Sequence, residues 1–220
     1  MTDSLESIFI QDLKNENEVA EKLSKLDFKA PIKNNDIYYS SIDFMFQTPK
    51  LKISTINKST NKLGLYIDAD LEELLENFDK KIMQLLVNKS AELFEEEISN
   101  EEIEDIYTSS YTKKINTQLK VNLNKKLVIF NKSKNILDIG DLNINNEVIC
   151  LLKCSKIIYY KNYCKAYWEV LQVKLKKVDN LNDNNLPDFK QYLIREDEND
   201  NYLSENEESQ ILLKELKIKN

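Results

Sequence analysis

Lysine and tyrosine are the residues whose types and spacing give this chain something to do chemically. Residues 106–178 carry fourteen lysines against four acidic residues, although the whole chain has a net charge of −7. Lys113, Lys114, Lys120, Lys125 and Lys126 accompany one alternating run, and Lys153, Lys156, Lys161, Lys165, Lys174, Lys176 and Lys177 decorate a later pair of runs. Tyr159, Tyr160, Tyr163, Tyr167 and Trp168 are interleaved with that second set, and Tyr38, Tyr39 and Lys52 supply the same two types upstream. Ammonium groups along a groove meet phosphates, and exposed rings stack on bases at about 1–3 kcal/mol per base. The candidate contacts to a nucleic-acid strand are Tyr38, Tyr39, Lys52, Lys113, Lys114, Lys120, Lys125, Lys126, Tyr159, Tyr160, Lys161, Trp168, Lys174 and Lys176.

The same residues have a plainer use. Aromatic side chains on strands pack cores, and lysine at alternate positions blunts an exposed sheet edge. Trp168 fits a core well. Neighbouring strand residues point to opposite faces, so one member of each pair, Tyr38–Tyr39 and Tyr159–Tyr160, is expected outside.

Other chemistry is missing at the level of composition. The chain has no histidine and two glycines, Gly64 and Gly140, so neither a His-dependent triad nor a glycine-rich phosphate loop can be built. Cys150-x3-Cys154-x9-Cys164 lacks a fourth zinc ligand, and these cysteines read as reduced thiols filling a core. The expectation is a binding protein without cofactor or metal. No apolar run reaches the ~18–20 residues of a membrane span, nor does the N-terminus read as a signal peptide; a soluble, intracellular protein is expected. The single arginine, Arg195, beside many lysines and asparagines is what A/T-rich codons would give.

These residues need elements to hold them. Residues 11–27 predict an amphipathic helix with Leu13, Val19, Leu23 and Leu26 on its apolar face. Strands follow at 37–53, where Pro49, unable to donate to a ladder, marks a break or an edge, and at 63–68. Leu71, Leu74, Leu75, Phe78, Ile82, Leu85, Leu86 and Leu93 predict one long helix over 70–95, with Asp70 and Glu73 as its capping box. An acidic connector leads to an alternating strand at 115–130 and a hairpin of two long strands at 147–160 and 166–178. The class is therefore α+β: a mostly antiparallel β-barrel with one long inserted helix and an N-terminal and a C-terminal helix. The segments are 1–30, helical; 31–178, the barrel; and 179–220, an acidic linker and tail whose helix starts near Ser204 and carries Ile211–Ile218.

Phe46, Thr48, Pro49 and Leu51 (FxTPxL), then Leu65, Ile67 and Asp68 (LxID), a helix, and Trp168, Val170, Gln172, Val173 and Lys174 (WxVxQVK) resemble phage-type single-stranded-DNA-binding proteins, in particular those of large nucleocytoplasmic DNA viruses. The resemblance spans roughly 37–178. It implies an OB fold of five strands, non-sequence-specific binding of single-stranded DNA, and a role in DNA replication and recombination. Such proteins often end in an acidic tail. Here Glu196–Glu208 is followed by the basic and apolar ILLKELKIKN, so 196–220 is expected to contact replication or assembly proteins or a second copy of the chain. The alternative is a viral structural or assembly scaffold that presents the same barrel to other proteins.

Overall fold

The computed structural model describes residues 8–10, 13–34, 37–94, 96–113, 115–160, 163–176 and 194. Along the chain these form β1 (Ile8–Ile10), α1 (Glu16–Ser24), β2 (Ile32–Asn34), β3 (Ile37–Gln47), β4 (Leu51–Asn57) and β5 (Lys62–Tyr66). Next come α2 (Ala69–Asn88), α3 (Ser90–Phe94), α4 (Asn100–Ile106), β6 (Tyr107–Thr108) and β7 (Tyr111–Thr112). The last elements are β8 (Gln118–Phe130), β9 (Ile136–Leu137), a 3-10 turn (Ile139–Asp141), β10 (Glu147–Tyr160) and β11 (Tyr163–Leu175). The class is α+β and sheet-rich, with mostly antiparallel pairing; among the described residues β1–β3, β6–β11 and β8–β11 pair in parallel.

The strand path closes on itself. β4 pairs with β5, β5 with β8, β8 with β11 and β11 with β10, which returns to β4 through Val148↔Leu51 and Glu147↔Lys52. β3 and β4 are one path broken at Thr48–Pro49–Lys50. Pro49 has no N–H to give. Thr48 bridges the gap instead: its N–H donates to the Cys150 carbonyl and its Oγ1 accepts from the Cys150 N–H, each at 2.9 Å. The break moves the chain from its long pairing along β10 onto β5.

Period-2 alternation sends Ile42, Phe44 and Phe46 inward from β3, and Cys164, Ala166, Trp168 and Val170 inward from β11. α2 plugs this interior. Leu71, Leu74, Leu75, Phe78, Ile82 and Leu86 recur at helical spacing on its buried face. The Phe78 ring lies 4.9 Å from Trp168 and 5.0 Å from Phe44. Each such side chain contributes about 1.5–3 kcal/mol by leaving water. The buried residues of β1 and α1 belong to the same core. All three cysteines are buried thiols; burial pushes Cys150 and Cys164 up to about 12 and Cys154 further in the same direction.

Several boundaries differ from the sequence expectation. The helix expected over 70–95 ends at Asn88, because Lys89 leaves helical geometry (φ −109°, ψ 12°) and its ammonium binds Asp27 and the Phe28 carbonyl; α3 follows as a separate turn. Its cap is Asp68, whose carboxylate accepts from the Leu71 N–H at 3.0 Å, since Asp70 already lies inside the first turn. The acidic connector contains α4, started by a capping box between Ser99 and Glu102. α1 spans 16–24 and not 11–27, beginning at an Asn15 cap. The C-terminal helix expected near 204–218 lies outside the described residues.

Two details fix the outer surface. Where β8 and β11 diverge, the β6–β7 segment fills the seam, β6 pairing with β11 and β7 with β8. That segment is pinned to α2 by Asp79, 5% exposed, which accepts from Tyr107 OH (2.8 Å), Ser109 Oγ (3.0 Å), the Ser110 N–H (2.8 Å) and Ser110 Oγ (2.6 Å). Trp168 Nε1 in turn donates to Ser110 Oγ at 2.8 Å. Elsewhere, outward-facing Ile149 and Leu151 of β10, with Phe9 and Leu171, form an apolar patch that Ile194 covers at 2% exposure.

Candidate nucleic-acid interface

On β5, Leu63 and Leu65 point inward, which turns Lys62, Gly64 and Tyr66 out; on β8, Leu119 and Val121 point inward, which turns Lys120 and Asn122 out. Register lines these up: Lys52–Tyr66–Gln118, then Thr55–Gly64–Lys120, then Asn57–Lys62–Asn122. Gly64 keeps the middle flat, because a Cβ there would stand 2.3 Å from Thr55 Oγ1 and 2.6 Å from Ser54 Oγ. Lys58 extends the face at the 58–61 turn. Lys125 and Lys126 extend it where β8 bulges away from β11 between Leu123 and Val128. Lys52, Lys58, Lys62, Lys120, Lys125 and Lys126 are all exposed, and none has an ion-pair or ring partner among the described residues. Glu147, in register beside Lys52, bonds Lys50 instead, at 3.5 Å.

A second outer face lies on β3, β10 and β11. Lys156 is directly opposite Tyr167, and its ammonium sits 4.6 Å from the Tyr167 ring centre and 5.0 Å from that of Tyr39. Lys165 lies 5.5 Å over Tyr163. Lys153 is ion-paired to Asp43 at 2.8 Å. Burial raises the Tyr167 phenol above its ordinary value, with nearby Glu169 adding to the rise.

The sequence candidates divide accordingly. Lys52, Lys120, Lys125 and Lys126 come together on the first face and Tyr39 stands on the second. Lys113 is exposed but committed to Glu72 at 2.7 Å, which holds its pKa up. Tyr38 is half-buried and stacked on Tyr159, the rings 5.5 Å apart and 7° from parallel. Lys176 is half-buried beyond the end of β11, its N–H bonded to the Glu147 carbonyl.

Three of the candidate contacts are corrected because they are buried, Trp168 in the core that its plainer reading expected. Tyr159 is 1% exposed because the bulge between Cys154 and Lys156 puts it on the inner parity, where its hydroxyl meets Ser40 and burial raises its pKa to about 12. Trp168 is 2% exposed at the centre of the aromatic core. Lys174, 1% exposed, is in register between Ile149 and Phe130, beside the patch under Ile194. Lys114, Lys161 and the Tyr160 side chain lie outside the described residues. Lys58, Lys62 and Tyr66 were missed. The alternation of KLGLY carried the signal for the last two, since its inward leucines dictate outward Lys62 and Tyr66.

A closed circuit of strands with a helix plugging its interior and exposed lysines on one outer face is the architecture that the described residues build. The chain matches, over residues 49–193, a family of unknown function, DUF5871, and belongs to it. Among curated proteins none matches. Solved structures with a likeness include the single-stranded DNA-binding protein of bacteriophage Enc34 in complex with single-stranded DNA (10% identity, 69% of this chain and 96% of that one, TM-score 0.40). The single-stranded DNA-binding protein gp2.5 of bacteriophage T7 is similar at 10% identity, over 66% of this chain and 97% of that one, with a TM-score of 0.41. Both likenesses are distant. Among the described residues no helix is long and apolar enough to cross a membrane.

Proposed function

We propose that the chain is a single-stranded-DNA-binding protein that holds the strand, without sequence preference, across the outer face of β4, β5 and β8. The observation that carries the reading is the set of six exposed lysines on one continuous surface, none with an ion-pair partner among the described residues. Lysines held in ion pairs have little left to offer a phosphate; these six do. We read the closed circuit as an OB-like barrel of five strands, in which the second and third, β5 and β8, bear the lysines. The Lys58-bearing turn then corresponds to the loop between its first and second strands. OB folds take oligonucleotides on that face and loop. The chemistry is phosphate neutralisation with counterion release, suited to strand coating in DNA replication or recombination, and it needs no catalytic group.

The test is anisotropy of labelled oligo-dT with wild type and with Lys62→Glu/Lys120→Glu, at low and near-physiological salt, against duplex of equal length. Salt-sensitive binding that prefers the single strand and is lost in the variant is the expected result. Wild-type protein that ignores oligo-dT at low salt overturns it. The second reading, an assembly scaffold, draws on Ile136, Ile139 and Ile144, exposed at 50%, 37% and 59% in the segment between β8 and β10. It predicts a partner protein on this face and no preference for single strands.

A further inference from the structure

Among the described residues the lysine face has exposed ammonium groups in plenty but one ring, the half-buried Tyr66. A strand held only by its phosphates leaves its bases in water. The rings lie on the neighbouring surface. We infer that Tyr39, Lys156 and Tyr167 form a base-stacking platform that takes nucleobases of the same strand after it leaves β8. This rests on the proposed single-strand binding and extends it to a second group of residues.

The geometry is continuous. Asn122 of β8 is in register with Glu169 of β11; Tyr167 is two residues along on the same side; Lys156 stands opposite Tyr167; and Tyr39 reaches Lys156 from β3. From β5 to β3 the path crosses four strand spacings, about 19 Å at ~4.8 Å each. That fits a site of roughly 4–16 nucleotides per OB fold. Among the described residues, Glu169 on the way is tied down by donors, Asn124 Nδ2 at 3.1 Å and Ser155 Oγ at 2.9 Å, and Asp43 on β3 is paired to Lys153 at 2.8 Å.

The arrangement of Lys156 is itself an observation that points to a ligand. Its ammonium lies within cation–π range of both rings, and its pairs with Tyr39 and Tyr167 are its contacts among the described residues. An incoming phosphate competes for that ammonium, and the ring faces it leaves are then open to a base. Lys165 over Tyr163, 37% exposed, repeats the unit one step toward the β10–β11 turn.

The experiment compares oligo-dT of about 3 and about 20 nucleotides, one too short for the path of about 19 Å and one ample for it, on wild type, Tyr39→Leu/Tyr167→Leu and Tyr39→Phe/Tyr167→Phe. Leucine keeps apolar bulk and discards the π face; phenylalanine keeps the face. The leucine variant is expected to lose about tenfold or more on the long oligonucleotide and little on the short one, with its salt slope unchanged, and phenylalanine to restore the affinity. Photocrosslinking of 5-iodouridine oligonucleotide to wild-type protein, mapped by mass spectrometry, should label Tyr39 or Tyr167 and needs no variant to fold. Wild-type affinity in the leucine variant, with crosslinks confined to β4, β5 and β8, overturns the platform and leaves the lysine track standing. Wild type that binds neither length overturns the track and the platform with it.

Discussion

The two outer faces of this sheet use the same residue types in opposite ways. On β4, β5 and β8 the lysines are exposed and without ring or ion-pair partners among the described residues; on β3, β10 and β11 Lys156 and Lys165 lie over tyrosine rings and Lys153 is paired to Asp43. The difference is one of commitment. An uncommitted ammonium can meet a phosphate at once, whereas a lysine docked on a ring must first leave it, a step worth about 0.5–1 kcal/mol at an exposed site. On the proposed function, the first face would give long-range, salt-sensitive attraction and the second short-range contact.

Reversing the sign of the first face should break the comparison most severely. Lys62→Glu with Lys120→Glu places two carboxylates where two phosphates would lie, and affinity for oligo-dT should fall about a thousandfold at low salt. Neutralising the same pair to glutamine should lower the salt slope by about 1.4, at ~0.7 per phosphate contact on a single strand. A titration series in salt reads both. If Lys156→Glu/Lys165→Glu proves the more damaging pair, the assignment of roles to the faces is reversed.

The seam between the faces comes next. Asp79 holds the β6–β7 segment that bridges β8 and β11, so Asp79→Ala takes the shared acceptor from the donors of Tyr107, Ser109 and Ser110. A loss of about 3 kcal/mol in denaturant unfolding is expected, with long oligonucleotides affected more than short ones. Burial holds the Asp79 carboxyl above its ordinary value, with the four donors opposing it. The folded chain therefore binds this proton more tightly than the unfolded one. The contribution is fully present below the unfolded value of about 3.9 and is lost as pH rises through the folded one. Asp79→Asn should remove that component from a stability–pH profile above about pH 4; an unchanged slope would mean the carboxyl titrates normally.

How much of this was legible in the sequence follows from the range of each cause. Alternation and helical periodicity are local, so β8, β10, α2 and the break at Pro49 could be read directly. The Ser99–Glu102 capping box was equally local and was overlooked. Closure of the strand circuit and the pinning of the β6–β7 segment by Asp79 depend on partners far away in the chain. The same holds for the site. Lys52 and Lys120 announced themselves by strand parity, but a bulge after Cys154 turned Tyr159 inward, and parity could not foresee that Lys174 would lie beside a covered patch.

That cover separates the faces further, because Ile194 closes the apolar end of the second one, while among the described residues the six lysines of the first are exposed. Ile194→Asp sets a charge against Ile149 and Leu151. It should cost about 1–3 kcal/mol of stability and leave oligo-dT affinity at its wild-type value. A variant as stable as wild type would show that the patch does not need this cover.

The smallest effect is expected at Lys113, and it isolates commitment from mere charge. Lys113 is as exposed as the six lysines of the first face, but its ammonium lies 2.7 Å from Glu72 and 5.7 Å from the centre of the Tyr111 ring. Glu72 is itself held below the usual carboxylate range, first by this lysine and also by Thr117. The Lys113 ammonium is therefore occupied and has little left to offer a phosphate. Lys113→Gln should change affinity less than about twofold and leave the salt slope alone, where Lys120→Gln lowers the slope by ~0.7. Releasing the lysine instead, by Glu72→Gln, should add a free ammonium at the edge of β8 and raise affinity slightly at low salt. Equal slopes for Lys113→Gln and Lys120→Gln would mean that every exposed lysine counts alike, and the distinction between the two faces would reduce to the number of charges on each.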